Sequence, residues 1–266
     1  MKVAYDGRAF HGHARQPGLA TVERESLLAL SQARAIRGTE ASRFQSASRT
    51  DRGVSALGNV LAFESELPPI PTVRAFNAKA RNVWAWAVAS VPPTFSARRA
   101  RERWYRYMLP CDHDERRLSD ALRVFIGEHD FRNFTRDRER TVLSIDEACA
   151  ARDGVGVALD FRARRFAWNL VRRIIAAALL VESGSKSVID IERALRPGVR
   201  SDFGLAPPEP LILVDVRYDF EFERVRDPTT RERVRRMLAD QSRSLAFYGQ
   251  LADRFPMEDR IDSLNP

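Results

Sequence analysis

The stretch Ser46-Ala47-Ser48-Arg49-Thr50-Asp51-Arg52-Gly53-Val54-Ser55-Ala56-Leu57-Gly58-Asn59-Val60 sets one carboxylate, Asp51, between two arginines and follows it with a turn glycine. Phe44 to Ser48 ahead of it reads as a strand, and Gly58 to Phe63 behind it reads as another. A carboxylate on a loop between strands stands where a fold displays chemistry. Arg49 and Arg52 favour its ionised form and attract phosphate. On these residues alone a second reading leads: an ordinary solvated turn in which Asp51 caps or pairs locally.

Upstream of this loop, Lys2 to Tyr5 reads as a short strand turned by Asp6-Gly7. Thr21 is a helix N-cap, and Val22, Leu27, Leu28, Leu30 and Ala33 form a helical stripe that ends near Arg37-Gly38. Downstream, Pro68-Pro69-Ile70-Pro71 reads as a loop that no helix crosses, with a helix from Thr72 to about Arg81. Val83 to Val91 reads as a buried strand with Trp84 and Trp86 on one face as core. The order β-α-β-β-α-β is that of a ferredoxin-like split unit.

A basic connection from Pro92 to Arg103 separates this half, residues 1–99, from a second one, residues 100–221. The second half begins with Trp104-Tyr105-Arg106-Tyr107-Met108-Leu109, a strand of alternating aromatics. A helix over Leu118–Ile126 follows, then antiparallel strands over Val142–Ala150 and Val155–Phe161. A helix opening near Phe166 becomes apolar through Val181, and a short helix over Val188–Leu195 precedes a last strand near Leu211–Val216. Residues 222–266 form a helical extension capped by Asp227-Pro228, and its stripe Val234, Leu238, Ser242 and Leu245 predicts a docked helix.

With 44% hydrophobic and 30% charged residues, the chain is globular in composition. A net charge of +8, mostly from arginine, favours a polyanionic partner, although a generally basic surface or an adaptation to heat or salt gives the same balance. Cys111 and Cys149 lie far apart without a ligand pattern and read as free thiols. The four histidines have no metal-ligand spacing, and His11 and His13 read as structural or solvent-facing. The longest apolar run, Ile174 to Val181, is too short to cross a bilayer. No signal peptide opens the sequence, so a cytoplasmic protein is expected.

Ser48-Arg49-Thr50-Asp51-Arg52-Gly53-Val54-Ser55-Ala56 resembles the signature loop of the tRNA pseudouridine synthase A family, Gly-Arg-Thr-Asp-x-Gly-Val-His-Ala, with Ser48 for Gly and Ser55 for His. Four further segments resemble family motifs in the right order. They are Tyr5 to Pro17, Phe95 to Tyr107, Gly127 to Phe134 and Phe166 to Arg172, and the Gly204 to Val216 region resembles the family's closing loop and strand. The form is archaeal-like. The resemblance implies an α+β fold of two ferredoxin-like or RNP-like halves, mainly antiparallel, flanking a central basic cleft, with the C-terminal helix added.

It also implies an isomerase that turns uridine into pseudouridine in the tRNA anticodon stem-loop, at positions 38, 39 and 40. No cofactor, metal or membrane is implied, and a homodimer is. Asp51 becomes the catalytic carboxylate, Tyr105 the active-site aromatic and Arg172 the basic partner of Asp51. Arg8, Arg15, Gln16, Arg49, Arg52 and Arg173 become tRNA-binding candidates. Read from residues alone, Tyr105 and Tyr107 also suit a half-buried strand face, Arg8 to Gln16 a basic hairpin loop, and Arg172 and Arg173 a solvated helix turn. The competing class is a non-catalytic tRNA-binding or RNA-chaperone module on the same fold. A binding module has no need of Asp51, Tyr105 and Arg172 together.

Overall fold

The computed structural model describes residues 1–154 and 156–252, with side chains described as far as residue 243. In chain order the elements are β1 (Lys2–Tyr5), α1 (Val22–Gln32), β2 (Gln45–Ser46), β3 (Ser55–Ala62), α2 (Pro69–Lys79), β4 (Val83–Val88), β5 (Glu102–Pro110) and α3 (Glu115–Arg123). There follow β6 (Gly127–Asp130), β7 (Val142–Ile145), β8 (Glu147–Asp153), β9 (Gly156–Ala163), α4 (Leu170–Glu182), α5 (Val188–Ala194), β10 (Leu211–Arg217), β11 (Glu223–Arg224) and α6 (Pro228–Ala252). The fold is α+β.

One sheet runs in the order β11-β4-β1-β3-β10-β5-β9-β8, with β2 paired to β3. Among the described strand pairs only β3 with β10 is parallel. That seam joins the strands of the first half to those of the second, so both halves share one sheet. Gly58 serves the seam: a Cβ there would lie 2.7 Å from the Val214 carbonyl oxygen. Chain contacts divide the protein into Met1–Val225 and a second unit that begins at Arg226.

In β5 the alternation expected from the sequence sorts the side chains cleanly. Arg103, Tyr105, Tyr107 and Leu109 are buried, while Trp104, Arg106 and Met108 are half-buried on the other face. The Trp104 ring lies 4.2 Å under the Arg162 guanidinium, and its indole N–H donates to Asp160.

Several expectations need correction. The helix after the proline run starts at Pro69, not Thr72, because Pro in a first turn lacks only an N–H that no helix carbonyl would accept. In β4 the buried face is Val83, Ala85 and Ala87, and Trp84 and Trp86 are half-buried on the reverse. Small residues suit that core face because α2 packs closely there, with the Asn77 side chain bonding both backbone groups of Ala85 at 2.8 Å. The strand expected over Val142–Ala150 breaks at Asp146 into β7, which pairs with β6, and β8, which pairs with β9. Val155, its expected neighbour's first residue, lies outside the described residues.

In α6, Asp227 caps by accepting from the Thr230 N–H at 3.0 Å and hydroxyl at 2.7 Å. Val234 and Leu238 of its apolar stripe are exposed, and Leu245 and residues 253–266 lie outside the described side chains. Among the described residues no helix is long and apolar enough to cross a membrane.

Candidate active site

The Asp51 loop sits at the end of β2 and ahead of β3, and its shape is set by bonds to neighbouring strands. Asn59, fully buried in β3, accepts from the Ser48 N–H at 3.2 Å and donates to the Ser48 carbonyl at 2.9 Å and to Tyr5 Oη at 3.1 Å. The Tyr5 hydroxyl also meets Thr50 Oγ1 at 2.9 Å, and the His13 N–H donates to the Thr50 carbonyl at 3.0 Å. Gly53 closes the turn at φ +85°, a left-handed conformation that favours glycine. Ser55, where the resembled motif has His, accepts from the Gly7 N–H at 3.0 Å and ties the Tyr5-Asp6-Gly7 turn to this loop.

The second half delivers the partners of Asp51. Asn169 Nδ2 donates to Asp51 Oδ2 at 2.5 Å, and Arg172 Nη1 donates to the same oxygen at 3.0 Å. The Arg172–Asp51 pair is largely sheltered, with side-chain exposures of 12% and 23%. Arg172 Nε donates to the Ala206 carbonyl at 2.8 Å, and the Ala206 N–H returns a bond to the Arg172 carbonyl at 3.2 Å. The Pro-rich loop leading to β10 therefore staples the arginine, and its Pro208 lies close to Gly53 of the Asp51 loop. The helix α4 begins at Leu170, not near Phe166, so Asn169 is the residue just ahead of it and Arg172 lies in its first turn.

These residues line a cleft of about 800 Å³ that takes in Asp51, Tyr105, Phe166, Trp168, Asn169 and Arg172. That is a volume for a nucleotide-sized ligand. Tyr105 is buried, with the Phe166 ring edge-on at 5.2 Å. Burial pushes the Tyr105 phenol up to about 12 against the opposing pull of Arg103, so at neutral pH it is a donor and not a base. Tyr107, one step of the same face further on, is core and lies outside the cleft lining.

Arg49, Arg52 and Gln16 also line the cleft, the two arginines exposed. Arg8 lies outside its lining and pairs with Asp6 at 2.6 Å, as does Arg15 with Glu23 at 3.2 Å. Arg173 turns away from Asp51 to Asp202, at 3.0 Å.

Three residues of the site escaped the sequence reading. Arg103 is buried and donates to Ser48 Oγ at 3.0 Å, to the Ala47 and Arg98 carbonyls at 2.8 and 3.0 Å, and to the Arg164 carbonyl. It clamps the strand entering the Asp51 loop, and its period-two match with Tyr105 and Tyr107 was the available signal. Asn169 had none, because the oxygen it bonds lies 118 residues away in sequence. His13, expected to be structural or solvent-facing, is fully buried in the cleft wall without a hydrogen-bond partner for either ring nitrogen. Burial, then the charge of Arg49, push its imidazole down to about 4, so it is neutral under physiological conditions. Among the described residues no cluster of three or more His, Cys, Asp or Glu could hold a metal ion.

A family pattern described as tRNA pseudouridine synthase matches residues 121–219. The chain is 40% identical over 223 residues to a protein of Pyrococcus horikoshii named tRNA pseudouridine synthase A, covering 82% of this chain and 84% of that one. Its likeness to the protein of that name from Methanothrix thermoacetophila is 42% over 258 residues and 92% of each chain. For the Methanosarcina mazei protein the identity is 33% over 260 residues and 95% of each.

Proposed function

The chain belongs to the tRNA pseudouridine synthase A family, an isomerase family, and from that premise we propose that it converts uridine to pseudouridine at positions 38, 39 and 40 of the tRNA anticodon stem-loop. The observation that carries the reading is the Asp51 carboxylate held by Arg172 and Asn169 at the floor of a nucleotide-sized cleft beside Tyr105.

In this reading the target uridine leaves its stack and enters the cleft, where its base lies against Tyr105. Asp51 acts as the nucleophile or base that opens the N-glycosidic bond. The freed uracil turns within the cleft, C5 bonds to ribose C1′ with release of the Asp51 carboxylate where it served as the nucleophile, and the C5 proton moves to N1 by way of solvent or the site. Arg172 balances the carboxylate charge throughout. A non-catalytic tRNA-binding module explains the basic surface equally well, but it gives no reason to bury an Asp–Arg pair beside a tyrosine, an arrangement costly to desolvate.

Residues 1–99 supply Asp51 and residues 100–221 supply Tyr105, Asn169 and Arg172, so we treat these segments as two functional halves and 222–266 as an extension. Arg49, Arg52 and Gln16 are proposed to hold the target strand. Arg8, Arg15 and Arg173 are proposed as outer phosphate contacts. Arg8 and Arg15 are held only by local ion pairs of little worth, which phosphate can replace. The working form is proposed to be a cytoplasmic homodimer, whose second copy extends the basic surface.

The test is to incubate the protein with unmodified tRNA and map pseudouridine at nucleotide resolution. Modification confined to positions 38–40 is the expected outcome, and modification only elsewhere in the tRNA would reject the anticodon assignment. Binding should also weaken steeply with salt. If about five phosphates are neutralised, the slope of log K against log salt is near −4. A nearly flat titration removes the argument from charge.

A further inference from the structure

The two oxygens of Asp51 are not equivalent. Asn169 Nδ2 and Arg172 Nη1 both donate to Oδ2, while Oδ1 has no hydrogen-bond donor among the described residues. We propose that Asn169 is a positioning residue for the isomerisation: its amide, acting with Arg172, locks the carboxylate so that Oδ1 is the oxygen presented to the target nucleotide. The inference rests on the reaction proposed above and adds to it the identity of the reacting oxygen and the residue that selects it.

The conformation of Asn169 is the first support. It stands immediately before α4 at φ 65° and ψ 4°, in the left-handed region. An asparagine in that place ordinarily keeps an extended backbone and caps the helix with its side-chain oxygen. Here no such cap bond forms, and the side chain reaches across to Asp51. Glycine would occupy this backbone conformation with less strain. Backbone strain held at a residue that touches a reacting group is a recurring property of functional sites.

The orientation of the amide is the second. Only its NH₂ can face a carboxylate oxygen, which fixes the assignment of nitrogen and oxygen. Asn169 Oδ1 is then buried without a partner. An unpaired buried acceptor is unfavourable, so this side chain carries two local costs, and its one gain is the bond to Asp51.

The geometry of Arg172 is the third. Its guanidinium does not grip Asp51 with a two-point fork: Nη1 alone meets Oδ2, and Nε donates instead to the Ala206 carbonyl. A single donor lets a carboxylate pivot about the bonded oxygen. A second donor on the same oxygen, arriving from a different residue, removes that freedom and leaves Oδ1 turned to the cleft. Displacement of a reacting atom by about an ångström is enough to slow a reaction by two orders of magnitude.

Asn169→Gly and Asn169→Asp separate this role from a structural one. Both residues accept the left-handed backbone, and neither supplies the amide donor. The single-turnover rate of pseudouridine formation is expected to fall about 100-fold in each. The dissociation constant for tRNA should stay within threefold of wild type, and the melting temperature of Asn169→Gly should be unchanged or higher. A residue needed only for its backbone conformation gives the opposite pattern, with glycine keeping full rate. The inference is overturned if Asn169→Gly turns over within threefold of wild type, or if the loss appears in tRNA affinity and not in rate. Should the glycine variant fold poorly, Asn169→Asp, of the same size, decides by the same criteria. Wild type and Asp51→Ala are run alongside: a wild type that makes no pseudouridine rejects the reaction itself, whereas an active wild type with an active Asn169→Gly rejects this inference alone.

Discussion

Asp51→Ala is expected to abolish pseudouridine formation, by about 10⁴-fold or more, the scale on which loss of a reacting nucleophile is felt. Binding of tRNA should change by no more than a few-fold, because phosphate contacts carry affinity and this carboxylate makes none. The structure sharpens the expectation. Removing the carboxylate leaves intact the bond from Arg172 to the Ala206 carbonyl, so the loop before β10 should stay stapled and the lost rate is assigned to the carboxylate itself. Asp51→Asn keeps the volume and removes the charge, and it should be as inactive as the alanine variant. Rates from single-turnover assays, with a thermal melt for each variant, check both. If either variant forms pseudouridine at a rate comparable to wild type, the catalytic assignment is wrong.

The elements that could be read in the sequence are those where a local rule and the tertiary structure agree. The strand carrying Tyr105 alternates at period two, and its inward and outward faces follow directly. The helix after Thr21 begins at its cap, Thr21 accepting from the Arg24 N–H at 3.3 Å. Where tertiary packing decides, the sequence misleads. Trp84 and Trp86 are the most apolar residues of their strand by size, yet the face against α2 admits only Val83, Ala85 and Ala87. Pro69 and Pro71 look like helix breakers, and only the position of the first turn makes them harmless.

The site shows the same division. Asp51 and Arg172 lie 121 residues apart, and no spacing rule joins them; the resemblance alone paired them, and the fold brings them to 3.0 Å. Arg103 was within reach of strand periodicity. Asn169 was not, because its role depends on a left-handed backbone and on an oxygen 118 residues away in sequence. The local reading of Arg49-Thr50-Asp51-Arg52 as a solvated turn fails for a related reason. The two adjacent arginines do not hold the carboxylate. Both are exposed, and the partners that hold Asp51 come from the other half of the chain.

Arg172 and Arg173 provide the second large effect, since they are adjacent, chemically identical and aimed differently. Successive helix residues point about 100° apart, so one carboxylate cannot face both. Arg172 meets Asp51, and Arg173 meets the exposed Asp202. Arg172→Ala leaves a sheltered carboxylate without its cation. Breaking such a pair costs about 3 kcal/mol or somewhat less, given that Asp51 keeps some contact with solvent. Loss of one preorganised donor at a reacting centre slows catalysis by roughly 10²–10³-fold, and that is the expected fall in rate. Arg173→Ala should leave the rate within about threefold and at most lower the salt slope by about 1, the signature of one lost phosphate contact. Double-mutant cycles on thermal stability decide between the two. Asp51→Ala with Arg172→Ala should show a coupling of about 1–3 kcal/mol, and Asp51→Ala with Arg173→Ala should be additive within about 0.5 kcal/mol. Additivity in the first cycle and coupling in the second would exchange the roles of the two arginines and remove the charge partner on which the proposed reaction depends.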